Sequence, residues 1–214
     1  MPTESDTLTR LGGWLFRHRT WLPLPVAAAI LTLRIGQAPP STALAAAGIG
    51  VTVLGELLRL WGVHHIGVIS RTRSDRLGPL VASGPFALMR NPLYVGNIAV
   101  WVGFALAARL VWLAPAIVLL LGLEYHAIVC WEERLLETRL GDSYRDYAAR
   151  VPRWIPRRNR GGRRDRKEHA YSTRSAPSAA PSGSFSWRET LFSERGTFVA
   201  IAAGYVLLWI KARF

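Results

Sequence analysis

Three short stretches of this 214-residue chain carry side chains able to hold a polar ligand, and each lies at the end of an apolar run. The first is Arg90-Asn91-Pro92-Leu93-Tyr94-Val95-Gly96. Asn followed by Pro reads as a helix start, because an Asn side chain can cap free backbone N–H groups and Pro tolerates the first helical position. The second is Glu132-Glu133, at the far end of the hydrophobic hairpin that Pro92 opens. The third is Tyr144, Tyr147 and Arg150, three residues apart and therefore on one face of a helix. An antiparallel hairpin sets the first two stretches side by side. A helix folding back over them closes a cavity of carboxylates, phenols and guanidinium groups. That lining suits a ligand that is zwitterionic, cationic at its reactive centre and partly aromatic. Adjacent helical residues diverge by about 100°, so Glu132 and Glu133 are not expected to face one ligand, and one of them can pair with an arginine.

The elements that position these groups are read from hydropathy. Half of the residues are hydrophobic, the mean hydropathy is +0.16 and the formal charge is +13. A basic balance of this size can serve nucleic-acid binding. Here, however, the arginines flank apolar runs, the pattern expected of a membrane protein meeting anionic lipid headgroups. A membrane is therefore the expected partner, with anionic headgroups at the basic tail and no nucleic acid. Four runs approach the roughly 20 residues a spanning helix needs: Trp21 to Gly36, Thr42 to His64, Pro92 to Ala108 and Val111 to Cys130. The last continues as helix beyond the membrane, and the tight connection at Arg109 makes the final pair a hairpin. Thr197 to Ile210 is a shorter fifth candidate, read as a span with Arg195, Lys211 and Arg213 snorkelling. The Lys and Arg bias places the N-terminus, the 65–91 loop and the 131–195 region in the cytoplasm.

Within the second run, Glu56 and Arg59 share a helix face and can pair, for structure or for function alike. Gly48, Gly50 and Gly55 lie inside a spanning segment, which favours close helix packing over a phosphate loop. Cys130, the only cysteine, reads as a packed thiol. Adjacent His64 and His65 lack a third ligand, so no metal is expected. Glu124 and His126 fall on the last turns of the fourth run, where either can line the cavity.

The ordered set GPFALMRNPLYVG, hydrophobic hairpin, EERLLETRLGDSYRDYAARVPRWIP resembles the isoprenylcysteine carboxyl methyltransferase family, over about Leu54 to Pro156. The resemblance implies an integral-membrane enzyme using S-adenosyl-L-methionine. It implies that Asn91, Pro92, Tyr94, Gly96, Glu132, Glu133, Tyr144 and Tyr147 line the cofactor pocket, with Arg90, Arg150 and Glu133 in catalysis or substrate placement. Asn91 stands where that family has His; Asn-Pro-x-Tyr-x-Gly is similar to phospholipid N-methyltransferases. The expectation is an all-α, polytopic membrane bundle of four to five transmembrane helices with a cytoplasmic cofactor pocket. It divides into a methyltransferase domain at 1–156, a disordered basic linker at 157–190 and a hydrophobic helix at 191–214. The expected reaction is methylation of a lipophilic acceptor through a carboxylate, thiol or amine. The alternatives are a phosphatidylethanolamine N-methyltransferase and a non-catalytic membrane scaffold with a basic tail.

Overall fold

A computed structural model of the chain describes residues 4–21, 23–66, 80–156 and 186–213. Most of the linker and the arginines at 71, 73 and 76 lie outside the described residues. Among those described, the secondary structure is helical: α1 (Glu4–His18), α2 (Leu24–Thr32), α3 (Thr42–Ile66), α4 (Pro92–Ala107), α5 (Leu113–Leu140), α6 (Asp142–Arg150) and α7 (Trp187–Arg213), with a 3₁₀ turn at Gly84–Ala87. By length and composition, α3, α5 and α7 can each cross a membrane, and α4 is a shorter apolar helix. The chain is an integral membrane protein built on these helices.

The central pair is α3 and α4, held along a glycine seam. A Cβ on Gly48 would lie 2.7 Å from the Gly103 carbonyl oxygen, and one on Gly55 would lie 2.7 Å from that of Gly96. The glycines are seven apart on both helices, so the two close approaches repeat along one line and the backbones touch where side chains would hold them apart. Gly50 faces open space and takes no part. The hairpin turn puts Arg109 at φ 64°. Its carbonyl accepts from the Ala38 N–H at 2.9 Å, so the loop after α2 closes this end of the bundle. Val26, Ile30, Val100, Phe104, Leu110, Ile117, Leu121 and Ile128 form the core.

Two elements differ from the sequence expectation. The run Trp21 to Gly36 is helical only over Leu24–Thr32. Pro23 precedes this short helix, and Leu33 already has extended backbone. Ahead of it, α1 packs on α5: Gly12 lies directly over the Ala127 backbone, and Gly13 and Phe16 meet Trp131. The apolar residues of α1 are interleaved with charged and polar ones, so the helix is amphipathic and gives no continuous apolar run of spanning length. At the other end, α7 begins at Trp187 rather than near 191 and runs to Arg213. It docks on α3 through Thr52 and Tyr205, whose hydroxyls lie 2.7 Å apart. Lys211 Nζ donates to the Ile30 and Leu33 carbonyls, 2.6 Å each.

Candidate active site

Gly141, at φ 54°, turns the chain from α5 into α6, a conformation that favours glycine. The turn lays α6 back on α5 with Tyr144 and Tyr147 buried. The chain then leaves the helix at Val151-Pro152, because the residue before a proline disfavours helical backbone. The returning segment crosses the start of α4. Arg90 N–H donates to the Pro152 carbonyl at 2.9 Å, and Asn91 Nδ2 donates to the Arg153 carbonyl at 3.1 Å. Asn91 does occupy the cap position of α4, with Pro92 at the start of the helix, but its side chain makes no cap bond. The amide is committed to the crossing segment instead.

Glu133 is the centre of the site. Arg153 grips its carboxylate with two nitrogens, Nη2 at 2.6 Å and Nε at 3.2 Å, and Arg90 Nη1 approaches to 3.4 Å. Such a fork of parallel N–H···O bonds fixes direction as well as charge. The Glu133 and Arg90 side chains are both only 14% exposed. Tyr144 is hydrogen-bonded to Arg90. Around these groups lies a cavity of about 530 Å³, lined among others by Thr9, Arg90, Cys130, Glu133, Tyr144 and Arg153. The Arg90 Nε is buried and has no hydrogen-bond partner among the described residues.

Burial, reinforced by the Glu133 charge and opposed by Arg90, pushes the Tyr144 phenol well up. Burial first, with Arg90 opposing it and Glu133 adding to it, pushes Tyr147 up to about 12. The hydrogen bond to Glu133 raises Arg153. Both phenols are therefore neutral donors at physiological pH. Tyr147 donates to the Phe86 carbonyl at 2.8 Å, tying the turn before Arg90 to α6. Its folded pKa lies above the ordinary value of 10, so its contribution to stability is complete below pH 10 and is lost as pH rises through about 12. Alkaline unfolding followed by tryptophan fluorescence should show this loss in the parent and not in Tyr147→Phe.

The phospholipid methyltransferase family model matches residues 44–143. Two curated relatives align with the chain. The nickel-cobalt-cadmium resistance protein NccN of Alcaligenes xylosoxydans xylosoxydans is 31% identical over 153 residues, 69% of this chain and 68% of its own length. The chain belongs to the phospholipid methyltransferase family. The cobalt-zinc-cadmium resistance protein CzcN of Cupriavidus metallidurans is 28% identical over 147 residues, 69% of this chain and 58% of its own length. No solved structure matches the chain.

The family's matched span contains Arg90 and Glu133 but stops short of Tyr144 and Arg153, so two walls of the cavity come from outside it. Other residues singled out in the sequence lie elsewhere. Tyr94 donates to Glu132 Oε1 at 3.0 Å and stacks on Tyr125 with ring centroids 4.7 Å apart, a pair inside the bundle beside the cavity. Pro92 is buried, and Gly96 sits in the α3–α4 seam. Arg150 is exposed, its Nε bonded to the Asp146 carbonyl at 3.0 Å. Its place in the cavity is taken by Arg153. Cys130 is half-buried and faces the cavity, with Sγ 3.7 Å from His126 Nε2, rather than packed away. His64 stacks on Trp187 at 4.1 Å and bonds Thr190 at 3.3 Å.

Arg153 was the residue to find, and the Val151-Pro152 step was its signal: a proline there ends the helical face and turns the next residue back. Arg150→Ala is expected to leave activity within about twofold, as a solvated surface change does. Arg153→Ala should lower it by about tenfold or more, because it strips the bidentate partner from Glu133. Initial rates of the two variants side by side check this.

Proposed function

We propose that the chain is an S-adenosyl-L-methionine-dependent methyltransferase acting on a lipophilic acceptor from within the membrane. The family supplies the methyltransferase reading. The observation that carries it to a site is the Arg90–Glu133–Arg153 clamp at the edge of an open cavity. The residues suit the cofactor. A cavity of about 530 Å³ falls in the range of small-molecule sites. The unbonded Arg90 Nε is a donor available to the cofactor's carboxylate. Glu133 offers an acceptor for amino or ribose groups, and the Tyr144 ring a surface for a cation or an aromatic base. When bound, S-adenosylmethionine supplies an electrophilic sulfonium methyl.

The chain's own task is then positioning and exclusion of water. Holding two reactants in line is worth roughly 7–11 kcal/mol of barrier, and the two arginines can orient an anionic acceptor. A carboxylate or thiolate is already nucleophilic, whereas an amine also needs a base. The Lys and Arg bias supports a cavity opening to the cytoplasm, where the cofactor is dissolved.

Membranes containing the protein should transfer label from methyl-labelled S-adenosylmethionine into lipid-extractable material. Equal transfer by membranes lacking it rules the proposal out. The match to the phospholipid methyltransferase family and the Asn91-Pro92 step favour a second reading, a phospholipid N-methyltransferase. Under it, the labelled product is a methylated ethanolamine headgroup rather than an ester or thioether. Both curated relatives are named for metal resistance, so the acceptor search should include cells exposed to cadmium or cobalt.

A further inference from the structure

A second polar cluster is buried where α3, α4 and α7 meet, and the cavity chemistry makes no use of it. Its hub is Arg59 on α3. The guanidinium donates to Glu56 Oε2 at 3.0 Å, to Glu194 Oε2 at 2.9 Å and to Asn97 Oδ1, and it reaches Thr197 at 3.4 Å. Thr197 in turn donates to Glu194 Oε2 at 2.8 Å. Glu194 is 1% exposed and Glu56 6%. Charges at this depth are costly, and a buried ion pair is a poor source of stability compared with apolar packing. What such a pair does supply is direction: it fixes one register of α7 against α3.

The cluster also leads to the cavity. Asn97 lies on α4 about two turns from Arg90 and Asn91, and its side-chain amide acts on the Tyr125 phenol of α5. Tyr125 stacks on Tyr94, Tyr94 bonds Glu132, and Glu133 is the next residue. A set of side-chain contacts therefore runs from α7 through α3, α4 and α5 to Glu132, whose backbone neighbour Glu133 carries the carboxylate that Arg90 and Arg153 grip. Arg59 and Asn97 fall within the family's matched residues 44–143, whereas Glu194 falls outside them.

We infer that the C-terminal helix α7 is a working part of the methyl-donor site, with Glu194 a positioning residue that acts through Arg59 and Asn97 on the start of α4. The inference rests on the reading of the cavity as the donor site. Glu194 touches neither donor nor acceptor.

Cys130, the chain's only cysteine, lines the cavity and reports on it without any turnover. The full-length protein in detergent is treated with a water-soluble maleimide, with and without S-adenosylmethionine, in the parent, Glu194→Ala, Asn97→Ala and Tyr205→Phe. Tyr205→Phe removes another polar contact between α7 and α3, the one to Thr52, but has no link to Asn97. Glu194→Ala and Asn97→Ala should each change the Cys130 alkylation rate severalfold and abolish protection by the donor, with Tyr205→Phe behaving as the parent. Asn97→Ala breaks the path while leaving the α7 contacts of Arg59 in place, so it decides the matter even if Glu194→Ala does not fold. Parent-like alkylation and protection in the Asn97 and Glu194 variants overturns the inference. So does a change in Tyr205→Phe equal to theirs, because α7 then acts only by holding the fold together. Failure of the donor to protect the parent instead removes the donor-site reading, and the alkylation rates alone then judge the coupling.

Discussion

Glu133→Gln is expected to lower donor affinity and methyl transfer by about a hundredfold, the largest effect of any single change in the site. The carboxylate holds Arg153 through two bonds and Arg90 through a third contact. Glutamine keeps the shape but removes the charge, leaving two guanidinium groups facing a neutral amide. Breaking a buried ion pair from one side costs about 3–5 kcal/mol. Arg153 is about one-third exposed, so water recovers part of that cost and a loss near 3 kcal/mol, about a hundredfold, is expected. The double variant Glu133→Gln/Arg153→Gln should lose less than the sum of the single changes, because the second substitution removes a charge the first left without its partner. Calorimetry with S-adenosylmethionine on the three variants measures this directly. Parent affinity in Glu133→Gln would remove Glu133 from the site.

The groups legible in the sequence were those whose role follows from local spacing. Arg90 to Pro92 opens α4, the Arg109 turn makes the hairpin, and Glu132 and Glu133 diverge as neighbours on a helix must, one toward Tyr94 and the other into the cavity. Gly48 and Gly55 pack closely, as glycines in an apolar helix tend to. The residues that escaped depend on tertiary direction. Period-three spacing placed Arg150 with Tyr144 and Tyr147, yet α6 ends at Arg150 and the returning segment delivers Arg153. Asn91 has the right chemistry for a cap, but a carbonyl from 62 residues away claims its amide. The pairing of Arg59 with Glu194 joins residues 135 apart, a contact that no helical periodicity encodes.

Gly103→Ala should destabilise the folded protein, although it adds a single methyl group. The new Cβ would meet Thr52 Oγ1 and, at 2.6 Å, the Gly48 carbonyl oxygen. The carbonyl is backbone on the second turn of α3 and has no rotamer to move into, so the two helices must part. Overpacking of this kind costs about 1–3 kcal/mol and occasionally more, a large share of the roughly 5–15 kcal/mol that folded chains possess. For a chain of this length each kcal/mol moves the melting temperature by about 2–4 °C, so a fall of about 5–10 °C in detergent is expected. Gly50→Ala and Gly122→Ala supply the contrast, since a Cβ at either meets nothing within 4 Å. Helix propensity alone then acts and favours alanine by up to about 1 kcal/mol, so these two should hold or raise the melting temperature. An equal fall in all of them would mean that the α3–α4 seam is looser than its backbone contacts imply. The same separation passes along α4, because Gly96 meets Gly55 two turns nearer the cavity. Gly103→Ala protein that survives purification should therefore bind the donor more weakly as well, since the turn carrying Arg90 starts from a displaced helix.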